Sequence, residues 1–200
     1  MGKKISKKEV DLIAAGKDLF RRFGFKRVSI EDLCKKAVVS KMTFYRLFSN
    51  KTDLAKRILD SILEDSICKF REVMDAPFTA DERMRRIVAL KMEGTREISR
   101  EFIEDVYSDT GSELHRYMMQ KTEEMSNTLV QMFAEAQNRG YFRSDFKPEL
   151  LLALSRQMTA LLEDKSVMAL YDNPRDIIME LTTIIAFGIE PENREPGKTG

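Results

Sequence analysis

Thr43, Tyr45 and Arg46 crowd into four positions, with Met42 just before them and Lys51 five residues after Arg46. A hydroxyl, a phenol, a guanidinium and an ammonium so placed can grip phosphate oxygens and touch base edges. Breaking bonds would need other groups, and those are missing. No Ser/His/Asp set, P-loop, GxGxxG run or metal-ligand spacing occurs, and the single His115 has no partner motif. Glu97, Glu101, Glu104 and Asp105 recur at helical spacing and read as a solvated face rather than as catalytic carboxylates. We therefore expect no enzyme, no metal and no cofactor.

The elements around these residues explain how they would be held. Ser29 followed by Asp32 is a capping-box pattern that opens a short helix with Ile30, Leu33, Cys34 and Ala37 as its apolar positions. Val38-Val39 breaks the period, and Ser40 caps a second short helix from Lys41 to about Phe48. At about 100° per residue, Phe44, Leu47 and Phe48 share one face of that helix. Met42, Thr43, Tyr45 and Arg46 share the other. An aromatic back with a Thr/Tyr/Arg front suits a helix that lies in a DNA major groove while its back packs on a scaffold. Asn50, three residues before Asp53, caps the next helix and places Lys51 in its first turn. A lysine there opposes the helix dipole, a cost that a phosphate partner would offset.

Phe20, Gly24-Phe25, Val28-Ser29, the run Leu33 to Ala37, Val39-Ser40, Phe44-Tyr45, Phe48 and Asn50 to Leu54 resemble the N-terminal signature of tetracycline-repressor-like (tetR family) transcription regulators. The likeness covers about the first quarter of the chain; the remainder agrees in length and helical pattern. It implies that Thr43 approaches base edges, that Tyr45 and Lys51 hold phosphates, and that Ser29 and Ser40 sit at helix starts against the DNA backbone. Lys41, Met42 and Arg46 complete the expected DNA-binding set. Two positions depart from the pattern. The turn usually carries glycine where this chain has Val38, and a β-branched residue resists a backbone with φ > 0. The second helix often carries glycine where this chain has Met42, which adds apolar contact in the groove, of the kind a thymine methyl offers.

Charge is distributed accordingly. The chain has a net charge of +1, but residues 1–57 hold 16 Lys and Arg against 6 Asp and Glu, and the remainder 18 against 27. That is +10 against −9, the asymmetry expected when one part meets nucleic acid and the other does not. Cys34 and Cys68 sit at apolar helical positions and are expected as buried free thiols, consistent with a reducing cytoplasm. No signal peptide and no membrane span are visible.

Helical periodicity continues along the whole chain, so the fold class is all-α. A three-helix helix-turn-helix DNA-binding domain over residues 1–50 is followed by a larger helical ligand-binding and dimerisation domain over 51–190, and a disordered tail over 191–200. Met1 to Lys8 is expected to be a basic arm. The first helix should span Ser6 to Phe23, with Leu12, Ile13, Gly16, Leu19, Phe20 and Phe23 inward and Gly24 as its stop. A lever helix runs from Lys51 to about Met74. Further helices cover Asp81 to Ile98, a weaker segment near Phe102 to Tyr107, Ser112 to Asn138, Pro148 to about Leu162, and a last one from Pro174.

The last two long helices are apolar on more than one face, which favours a homodimer built through Leu151, Leu154, Met158, Leu162, Ile177, Leu181, Ile184 and Ile185. The resemblance implies a small-molecule pocket whose occupation releases DNA. Met92, Phe102, Tyr107, Met118, Met125, Phe133 and Met158 are its candidate lining, although methionines fill ordinary cores equally well. The expected function is a cytoplasmic repressor that binds a palindromic operator in double-stranded DNA and answers to an unknown effector. The alternative is a ligand-independent helix-turn-helix module serving an architectural or protein-docking role.

Overall fold

A computed structural model of the chain describes residues 6–95, 99–150, 153, 154, 157, 161 and 164–188. Helix α1 spans Lys7–Phe23 and starts at Ser6, whose Oγ accepts the Glu9 N–H. Lys7 and Lys8, expected in the arm, already belong to it. Leu12, Ile13, Ala15, Gly16 and Phe20 form its buried side. Phe23, expected inward, is exposed, because the backbone turns away at Gly24 before a further layer can cover it. Gly16 lets α1 lie directly on the lever helix: a Cβ there would stand 2.3 Å from Ile58 Cδ1.

Helix α2, Ile30–Ala37, carries the complete capping box between Ser29 and Asp32. Ser29 Oγ donates to the Asp32 carboxylate, and this bond above all holds that acid below the usual range. Val38 then adopts the left-handed conformation, φ 54° and ψ 48°. The turn thus keeps the geometry that glycine would supply without strain. The side chain reaches into solvent, so no packing offsets the cost of about 1–3 kcal/mol. Helix α3 spans Lys41–Leu47, with Ser40 as its cap and Phe48 at its end. Helix α4, Lys51–Asp75, begins at Asn50, whose side chain accepts the Asp53 N–H.

Further helices follow. Helix α5 is Ala80–Thr95; α6 is Arg100–Ile103 and continues into one π turn over Glu104–Ser108; α7 is Glu113–Asn138; α8 is Lys165–Met168; α9 is Pro174–Gly188. Residues 148–150, 153, 154, 157 and 161 are also helical.

Three apolar clusters hold these elements. The first joins Leu12, Phe20, Val28, Leu33, Phe44, Phe48, Leu54 and Ile58 to Val106, Leu114 and Met118, so the N-terminal core runs without interruption into the body. The second, at the far end of α4 and α7, gathers Met74, Met84, Met132, Ala136, Phe142 and Phe146, with Phe133 ringed by Phe70 and Phe142. The third comprises Met168, Ile177 and Ile178. Ile177, expected at a dimer contact, is therefore interior to its own chain.

Arg83 locks the second cluster. It is fully buried, and its guanidinium donates to the carbonyls of Val73, Met74, Ala76 and Phe78 while stacking 3.8 Å from the Tyr141 ring. The last carbonyls of α4 lack intrahelical donors and carry partial negative charge, so one cation both satisfies them and complements the dipole. Cys34 is buried as expected, but Cys68 is exposed beside Glu72. His115 is buried, its Nδ1 3.0 Å from the Val106 carbonyl.

Candidate nucleic-acid interface

Helix α3 is fixed from behind by two rings. Phe44 is completely buried, with Phe48 5.8 Å away and Tyr45 set edge-on at 5.5 Å. On the outward side Met42 is 83 % exposed and Tyr45 57 %, and Arg46 and Lys41 are exposed with them. Ser40 Oγ accepts the Thr43 N–H at 3.1 Å and thereby starts the helix.

Thr43 does not sit where the sequence puts it. It is buried, and its Oγ1 lies 3.1 Å from Ser40 Oγ. Phe44 turns so fully into the core that the neighbouring position is drawn under the turn with it. Lys41 is also engaged, with Glu31 of α2, and that hydrogen bond raises its pKa. The side chains left facing outward are Met42, Tyr45 and Arg46, with Val38 exposed in the turn before them.

Lys51 departs further. Its ammonium donates to the carbonyls of Phe25 at 2.7 Å, Val28 at 2.8 Å and Lys26 at 3.3 Å, and stands 4.4 Å from the Phe25 ring. Burial lowers its pKa, while the charge of Asp105 acts the other way. The lysine therefore ties the start of α4 to the turn between α1 and α2.

That same turn is held by the body. The Lys26 N–H donates to Asp105 at 2.8 Å, the Lys26 ammonium pairs with Asp109 at 3.0 Å, and Arg27 pairs with Glu101 at 3.4 Å. Arg21 reaches the Gly94 carbonyl, and the Ser99 N–H donates to the Arg21 carbonyl. Gly24 has φ +79°, and a Cβ on it would meet Asp105 Oδ2 at 2.6 Å, so glycine is required twice over. Of the acids expected as a solvated face, Glu101 and Asp105 instead dock the N-terminal head, together with Asp109; Glu104 is exposed, and Glu97 lies outside the described residues. The signal was present as complementary charge, a basic head followed by an acidic segment, but periodicity does not report which helix faces which.

Those of the expected effector-pocket residues that are described are not brought together. Phe102 and Met118 belong to the head-side cluster, Phe133 to the distal one, Met125 is half-buried, and Met92 is exposed. The Tyr107 side chain and Met158 lie outside the described residues, as do Leu151, Leu162 and the Ile185 side chain of the expected dimer face. Leu154 and Ile184 are exposed and Leu181 is half-buried. An apolar cavity of about 20 Å³ lies between head and body, lined by Phe20, Phe25, Ile58, Phe102, Val106 and Leu114 among others. It has room for about one water. Among the described residues no group of three or more His, Cys, Asp and Glu could hold a metal ion, and no helix is long and apolar enough to cross a membrane.

Residues 12–58 match the family model of bacterial regulatory proteins, tetR family. The HTH-type transcriptional regulator UidR of Escherichia coli is 23 % identical over 150 residues, 74 % of this chain and 76 % of UidR. Among solved structures, the fatty acid degradation regulator FadR from Bacillus halodurans superposes with a TM-score of 0.68 at 16 % identity, covering 93 % of this chain and 98 % of that one. Regulatory protein TetR from Rhodobacter sphaeroides gives 0.68 at 20 % identity, with 92 % and 100 % covered.

Proposed function

We propose that this chain, a transcriptional regulator carrying the DNA-binding domain of the bacterial tetR family, is a cytoplasmic repressor that binds a palindromic operator as a homodimer and leaves it when a small molecule binds the body. The observation that carries the DNA-reading part is the two-sided nature of α3: Phe44 and Phe48 are sealed in the core while Met42, Tyr45 and Arg46 face solvent. Residues 1–50 act as the reading head and residues 51–190 as the regulatory and dimerisation body.

Dimerisation would use the exposed Leu154 and Ile184, with Leu181 beside them, and would set two α3 helices about one DNA turn, ~34–36 Å, apart. Tyr45 and Arg46 take phosphates or base edges, and Ser29 and Ser40 hold the helix starts against the backbone of the duplex. Release follows from linkage. An effector that binds more tightly when the heads are mis-spaced shifts the population away from DNA, by no more than its differential affinity. The route is the contact of Gly24, Lys26 and Arg27 with Glu101, Asp105 and Asp109, because any movement of α6 and its π turn moves the head with it.

The alternative, a helix-turn-helix module with no inducer, draws support from the dispersal of those expected pocket residues that are described. Selection of binding sites from random DNA decides the main claim. A palindrome with half-sites about 10 base pairs apart is expected; recovery of unselected sequence would overturn it. Thermal-shift screening of the full chain against metabolites then separates the two readings.

A further inference from the structure

The outward side of α3 presents two exposed hydrogen-bonding side chains, Tyr45 and Arg46, beside an apolar surface. Thr43 is buried against Ser40, Ser40 Oγ is engaged with Thr43, and Lys41 is paired with Glu31. The apolar surface is almost fully open to solvent: Val38 is 90 % exposed and Met42 83 %. Met42 and Arg46 lie four residues apart on one helical stripe. Val38 stands in the left-handed turn that leads into that helix. Neither Val38 nor Met42 contributes to the core of its own chain, and both occupy the face proposed above to enter the groove.

The major groove offers one apolar feature, the C5 methyl of thymine. Methionine, unbranched and rotatable, can reach a methyl from more than one helix tilt. Resting on the DNA-binding function proposed above, we infer that Met42, flanked by Val38, is the principal specificity determinant of this protein and selects thymine through its methyl group. Thr43 then acts as a positioning residue, holding the first turn of α3 through Ser40 rather than touching bases.

Uracil in place of thymine tests this without changing any hydrogen-bonding edge. With the full chain and the duplex recovered by site selection, each thymine is replaced in turn by deoxyuridine and the affinity is measured. One methyl group withdrawn from an apolar contact corresponds to about a fourfold loss, expected at one or two positions per half-site. Met42→Ala should bring the thymine-to-uracil ratio at those positions to about one, while Met42→Leu should keep it above one. Because Met42 is exposed, both variants should melt with the wild type.

Equal binding at every uracil position, or a ratio that survives Met42→Ala, would overturn the inference while leaving DNA recognition intact. Failure to select any DNA sequence would overturn both.

Discussion

Replacing Lys51 by methionine separates an internal tie from a phosphate anchor. The substitution keeps the aliphatic stem near Phe25 and removes only the ammonium. Two bonds to part-buried carbonyls, at 2.7 and 2.8 Å, lose their charged donor; the third, at 3.3 Å, is exposed and its carbonyl can turn to water. Hydrogen bonds to a charged group contribute about 1.5–3 kcal/mol each and an exposed cation–π contact about 0.5–1. Relief of the buried ammonium offsets part of this, as its lowered pKa indicates. A net loss of about 2–3 kcal/mol is expected. Urea denaturation should show a lower midpoint with an unchanged slope.

DNA binding at increasing salt supplies the second reading. A lysine that neutralises a phosphate adds about 0.9 to the slope of log K against log salt. An ammonium committed to the Phe25–Val28 turn adds nothing, so Lys51→Met should leave the slope where it was, at a temperature at which both proteins are folded. A slope shallower by about 0.9 with stability untouched would refute the internal tie.

Other consequences can be measured independently. Arg83→Met removes the cation that satisfies the carbonyls of Val73 and Met74 in the last turn of α4 and of Ala76 and Phe78 just beyond it, and should cost about 3–5 kcal/mol in thermal or urea unfolding; a loss below about 1 kcal/mol would show that water replaces it readily. Val38→Asn keeps the turn in a conformation that asparagine tolerates, and should raise stability by about 0.5–1 kcal/mol by chemical denaturation. Tyr117 is pushed up to about 12, by burial first and then by its hydrogen bond to Asp60. A group raised in the folded state stabilises fully below its unfolded pKa of 10 and loses that contribution as pH climbs to about 12. A stability profile of Tyr117→Phe should therefore be flatter than wild type between pH 10 and 12.

Much of the head was legible because its signals are local. Ser6, Ser29, Ser40, Asn50 and Ser112 each start a helix at the position their spacing indicates, since a cap needs only the next three residues. The aromatic back of α3 followed from periodicity for the same reason. Less legible were the residues whose burial or partners depend on how the helices pack. Thr43 sits at the edge of the exposed arc, where a small rotation of the helix decides burial. The carbonyls that Lys51 meets belong to another turn, which its own helix does not reveal. Asp105 reads as a solvated charge from periodicity, and nothing in the pattern marks Arg83; the packing of α6 on α1, and of α5 against the end of α4, gives both their partners. Composition does not reveal that, of the methionines expected at one pocket, Met118 packs in the head-side cluster while Met125 is half-buried and Met92 exposed.

The unbroken apolar cluster from Leu12 to Met118 bears on how this protein can be cut and joined. Leu54, Ala55 and Ile58 are as much floor for α1 and α3 as they are the first turns of α4. A fragment ending at residue 50 would lose that floor and should not hold its shape. Chimeras that graft these DNA-reading helices onto a foreign body should place the seam beyond Ile62, and should bring the acids at 101, 105 and 109 along or supply equivalents.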